Sequence, residues 1–202
     1  VEVMMVLGLD FDNTIIRYDK LFHKVALDKG LIPADLSEEK KIIRDHLRAN
    51  SAEDEWTIIQ GEVYGEKIQE AVPYEGVLGT LKQLSAGNIP IYIISHRTRT
   101  PYLGPKQDLH AAAREWLHMH NFLGPNGLNW NENQIFFELT KEKKVERIIE
   151  TGCTHYVDDL VEILELLPDS IHKILFSPNG TPDIQNHHWS LLNSWKALPA
   201  LL

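Results

Sequence analysis

A single cysteine, Cys153, is all that the 202 residues contain. That excludes an internal disulfide and suits a reducing compartment, so the expected location is the cytoplasm. No run reaches the about 18 apolar residues that a membrane-spanning helix needs, so no membrane partner is expected. The opening residues, VEVMMVLGLD, lack the basic region and small-residue cleavage site of a secretory signal. Positive charge is also in short supply. Lys and Arg number 20 against 29 Asp and Glu, a formal net charge of −9, which argues against a nucleic-acid partner, whose phosphates demand a basic face. An anionic substrate must then be met by local positive charge or by a metal. There is no internal repeat and no low-complexity tract. What remains, with 43% hydrophobic and 24% charged residues, is an ordinary globular composition, long enough for one domain with a modest insertion.

Five short apolar runs predict strands: Val3 to Leu9, Ile91 to Ile94, Gln134 to Phe137, Thr154 to Val157 and Ile171 to Phe176. Their unbroken apolar character suits a sheet covered on both faces. Helical spacing lies between most of them. Val77, Leu78, Leu81 and Leu84 precede Gly87; Ala113, Trp116 and Leu117 follow; Val145, Ile148 and Ile149 precede Gly152; Leu160 to Leu167 stops at Pro168. Strand and helix in alternation imply right-handed crossovers, hence an α/β fold with a mostly parallel, five-stranded, Rossmann-like sheet. Residues 15–72 break the alternation and contain no convincing strand. Leu21, Phe22 and Val25 form one helical face; Asp35 with Glu38 is a candidate capping box for a second helix; Trp56, Ile59 and Val63 form the stripe of a third. A small helical subdomain inserted after the first strand is expected, leaving 1–14 and 73–202 as the sheet domain. The tail, WSLLNSWKALPALL, reads as a short amphipathic helix or a frayed end.

In an open α/β sheet, ligands bind beyond the carboxyl ends of the strands. The residues that follow each strand are therefore the candidates for chemistry. Asp10, Asp12 and Thr14 follow the first, Ser95, His96 and Arg97 the second, a lysine cluster the third, and Asp158 with Asp159 the fourth. Carboxylates gathered at one edge repel and call for a cation, and oxygen-only ligands point to Mg²⁺. Such a set suits phosphoryl transfer: a carboxylate nucleophile, a hydroxyl and an ammonium on the phosphoryl oxygens, and a second acid for the leaving group. Asp10 and Asp12 share a face if the strand geometry continues.

These residues closely resemble the four signature motifs of the haloacid dehalogenase superfamily. Asp10, Asp12 and Thr14 match its opening DxDxT; Ser95, ending an apolar strand, matches the second motif; the lysine cluster in FFELTKEKKVERI matches the third; Asp158 with Asp159 matches the acidic fourth. The resemblance covers residues 3–14 and 73–176. It implies that Asp10 is the nucleophile and a metal ligand, and that Asp12 is the general acid and base, binding metal through its backbone carbonyl. It implies Asp158 as a direct metal ligand, Asp159 as one acting through water, and residues 15–72 as a cap that closes over a small phosphorylated substrate. Dehalogenases of the family lack the second aspartate, because a halide needs no proton on leaving; Asp12 therefore favours a phosphatase. A phosphomutase keeps the same pair. A phosphorylatable receiver-like signalling protein, or a catalytically idle binding relative, are the readings from other classes.

Three lysines compete for the third motif. Lys141 lies four before Val145 and seven before Ile148, which puts it on the inward face ahead of Lys144, while Lys143 faces outward. Asp159 could instead cap the helix that begins at Leu160, and Thr14 could be a helper hydroxyl or only a cap. Arg97, Arg99 and Lys106 make the loop after the second strand basic, either for an anionic substrate or as a solvated loop. Of the ten histidines, His118, His120 and the pair His187–His188 suit solvated positions better than a metal site, and His96 is singled out by its place beside Ser95.

Overall fold

The structure, a computed structural model, describes residues 4–180 and 188–202; Val3 of the first expected strand and His187 lie outside the described residues. The chain runs β1 (Leu7–Leu9), β2 (Ile16–Arg17), α1 (Asp19–Asp28), α2 (Lys40–Ala49), α3 (Glu53–Tyr64), β3 (Val72–Pro73), α4 (Val77–Ala86), β4 (Ile91–His96), α5 (Leu109–Met119), β5 (Ile135–Glu138), α6 (Lys141–Glu150), β6 (His155–Asp158), α7 (Val161–Leu166), β7 (His172–Phe176) and β8 (Ser190–Leu192). Six strands pair in the order β5-β4-β1-β6-β7-β8, and every pairing within that sheet is parallel. The expected α/β architecture is present, with six strands where five were expected.

The sixth strand comes from the tail. Ser190–Leu192 adds to β7 with Leu192 opposite Phe176, and a 3₁₀ helix follows over Trp195–Leu201. Three residues are too few to print an alternating pattern, and Pro199 inside the last helix is incompatible with a regular α-helix. The pairing is decided by the free edge of β7, not by local preference.

Alternate residues of the sheet feed two cores. Leu7, Leu9, Ile91, Ile93, Val157 and Ile174 belong to one; Ile94, Tyr156 and Leu175 join Ile148, Ile163 and Leu164 of α6 and α7 in the other. Gly8 faces the second core, and its lack of a side chain is required. A Cβ there would lie 2.6 Å from the Tyr156 ring and 2.8 Å from Cys153 Sγ. Tyr156 cannot retreat, because its hydroxyl donates to the Ile94 carbonyl at 2.5 Å. Gly8→Ala is expected to destabilise the protein by about 1–3 kcal/mol through overpacking. An unchanged denaturant midpoint would show that the ring has room to move.

The residues between β1 and β3 form three helices packed on one another. Phe22 stacks on Trp56 at 4.9 Å between ring centres, with Ile43, Leu47, Ile59 and Val63 buried around them. The capping box expected at Asp35 and Glu38 does not form. Helix α2 starts at Lys40 after an extended Glu39, and the Leu36 N–H bonds back to the Pro33 carbonyl in a turn that precedes the helix. The two crossings between sheet and helices pair as β2 with β3, antiparallel. Each crossing is also held by an indole: Trp195 Nε1 donates to the Thr14 carbonyl at 3.0 Å, and Trp116 Nε1 to the Ala71 carbonyl at 2.9 Å. Gly61 lets the loop after β4 come close, with Gln107 Nε2 donating to its carbonyl at 2.9 Å.

Candidate active site

The register brings the motif residues to one level. Leu9 pairs with Ile93 on one side and with Val157 on the other, so Asp10 and Asp158 leave neighbouring strands side by side. Beyond β1 the chain turns sharply, with Asn13 in the left-handed region at φ 58°, a conformation that asparagine tolerates better than most residues. Phe11 goes into the core against Trp116 and Phe137, while Asp10 and Asp12 both line a cavity of about 660 Å³. The alternation expected of this pair is seen.

Asp10 is buried and held on both oxygens. Oδ1 accepts from Ser95 Oγ at 2.7 Å and from Lys144 Nζ at 2.8 Å. The Thr14 hydroxyl lies between two carboxylates, 3.4 Å from Asp10 Oδ2 and 3.5 Å from Asp159 Oδ1. Lys144 also reaches Asp158 Oδ2 at 2.6 Å. Thus Asp10, Thr14, Ser95, Asp158 and Asp159 are all brought together, as the strand-end pattern predicts.

The lysine among them is Lys144, not Lys141. Lys141 pairs with Glu162 at 2.7 Å, and its side chain is 39% exposed against 2% for Lys144. The inward stripe of α6 is Lys144 and Ile148, both buried, whereas Val145 is only half-buried. Counting from Val145 put the stripe one position out of phase. Helical side chains also lean toward the N-terminus, so a lysine in the first turn's last position reaches back over the strand ends, and one at the first position overshoots.

Asp159 does not cap the following helix. Helix α7 begins after Leu160 with no side-chain cap, and the Leu160 N–H instead bonds Asp158 Oδ1 at 2.9 Å. Arg97 is not part of a solvated loop: its side chain is 2% exposed and its NH1 meets Asp12 Oδ1 at 2.6 Å. Tyr18, whose hydroxyl donates to the same Asp12 oxygen at 2.6 Å, has no role in the sequence reading, and Arg97 has there only the role of a substrate contact or a solvated residue. Arg97 carried a signal, standing two residues past Ser95; Tyr18 carried none. His96 lines the cavity. His118 pairs with Glu132, and His120 stacks on Trp116.

Around Asp10 the carboxylates outnumber the cation in contact with them, although the wider cavity is also lined by Lys40, Lys41, Arg44, Arg97 and Lys141. Asp10, Asp158 and Asp159 each offer a carboxylate oxygen within 4.8 Å of the others. Burial pushes the Asp158 and Asp159 carboxyls well up, and for Asp159 the neighbouring Asp158 and Asp10 push further. Burial alone would lower the Lys144 ammonium, but Asp10 and Asp158 outweigh it and keep it charged. With one ammonium in contact with three carboxylates, the cluster could hold a cation, and an all-oxygen donor set suits a hard divalent ion. Asp12 is outside this group: its carboxylate faces Arg97 and Tyr18. The metal contact that the resemblance implies for it is through its backbone carbonyl. Opposite, Lys40 of α2 lines the cavity and donates to the Tyr64 hydroxyl at 2.7 Å.

No protein-family model matches the chain, and no curated protein matches it in sequence. Solved structures do match it in fold. A predicted phosphoglycolate phosphatase from Haemophilus somnus superposes with a TM-score of 0.61 at 13% identity, covering 100% of this chain and 99% of that one. A haloacid dehalogenase-family hydrolase from Deinococcus radiodurans, with bound phosphate and sodium, gives 0.57 at 14% identity, covering 100% and 99%. A dehalogenase gives 0.59 at 10% identity, covering 100% and 98%. Likeness that spans the whole of each chain, helices between β1 and β3 included, establishes that this protein has the haloacid dehalogenase-like fold.

Proposed function

We propose that the protein is a magnesium-dependent phosphohydrolase, a phosphomonoester phosphatase that acts on a small phosphorylated metabolite through an aspartyl-phosphate on Asp10. The observation that carries this reading is the Asp10 carboxylate, fixed by Ser95 and Lys144 at the floor of a cavity that Asp12 also lines. In this reading residues 15–72 are the cap that covers the substrate and excludes water.

The steps follow from the side chains. An Asp10 oxygen attacks phosphorus, and the bond from phosphorus to the ester oxygen breaks. Ser95 and Lys144 hold phosphoryl oxygens while charge builds on them. Asp12 gives a proton to the departing alkoxide; as a carboxylate it then takes one from water, whose oxygen displaces Asp10 and releases phosphate. Asp10, Asp158 and the Asp12 carbonyl, with Asp159 through water, would hold the magnesium ion, which would supply further neutralisation of phosphoryl charge. Asp12 favours an oxygen leaving group over halide, since halide departs unprotonated. Phosphate bound in a structure of the same fold supports the same substrate class.

The test is turnover of an aryl phosphate with and without Mg²⁺, followed by a panel of phosphorylated sugars, nucleotides and acids. Activity that persists undiminished in EDTA, or no activity on any ester, would sink the reading.

Metal should also register in stability. Asp158 and Asp159 are raised by folding. Their contribution is therefore fully present below the ordinary carboxylate range near pH 4 and is lost as pH rises through the elevated folded values. A cation cancels that loss. Mg²⁺ is expected to raise Tm by more at pH 8 than at pH 5, as read by thermal melts. An increase that is equal at both values, or absent, would count against metal at this cluster.

A further inference from the structure

Arg97 stands where an arginine would ordinarily contact an anionic substrate, two residues past Ser95 on the wall of the cavity. All of its nitrogens are already engaged by protein. NH1 donates to Asp12 Oδ1 at 2.6 Å, NH2 to the Tyr64 carbonyl at 2.6 Å, and Nε to the Leu109 carbonyl at 3.0 Å. NH1 also lies 3.4 Å from the Tyr18 hydroxyl, and the guanidinium sits 5.3 Å from the centre of the Tyr64 ring. Asp12 Oδ1 thus receives two donors, Arg97 and Tyr18, while among the described residues no hydrogen bond to Oδ2 is present. A carboxylate pinned by one oxygen has its other oxygen aimed.

We infer that Arg97 is a positioning residue for Asp12. It fixes Oδ1 so that Oδ2 is the oxygen that exchanges the proton with leaving group and water. Leu109 holds Arg97 from the sheet domain, while Tyr18 and Tyr64 belong to the segment that carries the three helices, so both parts of the chain contribute to the hold on Asp12. The chemistry rests on the phosphohydrolase reading; the orientation of Asp12 does not.

The experiment compares wild type, R97M and R97K on two Mg²⁺-supported substrates, 4-nitrophenyl phosphate and a simple alkyl phosphate. Nitrophenolate leaves without a proton; an alkoxide does not. For R97M, kcat on the alkyl ester should fall roughly 10²-fold, the scale of one general acid, with KM little changed. The aryl ester should still give a burst of one nitrophenolate per site, followed by slow turnover, because Asp10 still attacks while water is poorly activated. R97K should not restore the alkyl rate, since an ammonium cannot span Asp12 and both carbonyls. Equal losses on both esters without a burst would mean a structural role only, and a change confined to KM would mean a substrate contact; either overturns the inference. A crystal structure of R97M supplies a readout apart from activity: the Asp12 carboxylate should rotate, and a carboxylate left in place would overturn the inference as well. Should wild type hydrolyse neither ester, the phosphohydrolase reading fails, while that crystal structure still decides whether Arg97 orients Asp12.

Discussion

Asparagine in place of Asp10 should lower phosphate-ester turnover by roughly 10⁴-fold or more, the scale of losing a nucleophile outright. D10N keeps the shape of the side chain and removes only its charge and nucleophilic oxygen. Ser95 and Lys144 both aim donors at Oδ1, so the amide should turn its oxygen toward them. Folding should survive, because the substitution takes one carboxylate out of a group in which Asp158 and Asp159 already repel it. The measurement is steady-state hydrolysis of an aryl phosphate beside a thermal melt. A rapid quench with labelled substrate adds a direct check: denatured wild type should retain label on the chain, and D10N should not. Turnover near that of wild type would remove Asp10 as nucleophile.

The second large effect separates two neighbours on one helix. K144M should lose roughly 10²–10³-fold in kcat, the range for losing one electrostatic contact to a developing oxyanion. K144M should also cost about 3–5 kcal/mol in metal-free protein, since the buried Asp10 and Asp158 would lose their cation, with Ser95 alone left on Asp10 Oδ1 and nothing on Asp158 Oδ2. Saturating Mg²⁺ should recover part of that stability and little of the rate. K141M should do neither: its exposed pair with Glu162 is worth about 0–1 kcal/mol. Matched assays and denaturant curves on the two variants give the answer. Full activity in K144M with lost activity in K141M would reverse the assignment.

The site was legible to different depths at its different corners. Asp10, Ser95 and Asp158 each stand directly at the end of an apolar run, and a parallel sheet puts the ends of adjacent strands at one edge. Three strand assignments therefore sufficed to gather them. Lys144 depends on a helix's rotation about its axis, where one residue is about 100°. Half-apolar positions such as Val145 do not set that phase to better than one residue. Tyr18 and Arg97 are separated by the whole of the inserted segment, and nothing local to either predicts that they share an Asp12 oxygen. The edge strand Ser190–Leu192 is likewise invisible in three residues and is made by the partner strand it completes.

The pair of aspartates in LGLDFDNT remains the centre of the site. Sequence by itself determined that an α/β sheet would carry carboxylates, a hydroxyl and an ammonium at its carboxyl edge, because period and strand order are local properties that sum along the chain. It likewise led to the expectation of a cation among those carboxylates, and the structure brings Asp10, Asp158 and Asp159 within 4.8 Å of one another, close enough to hold one. Only the tertiary structure decided which lysine balances Asp10, which Asp12 oxygen is tied down, and that Tyr18 and Arg97 do the tying, with the Tyr64 carbonyl holding Arg97 in turn. Those outcomes depend on helix phase and on contacts between residues far apart in the chain, which are set when the core closes.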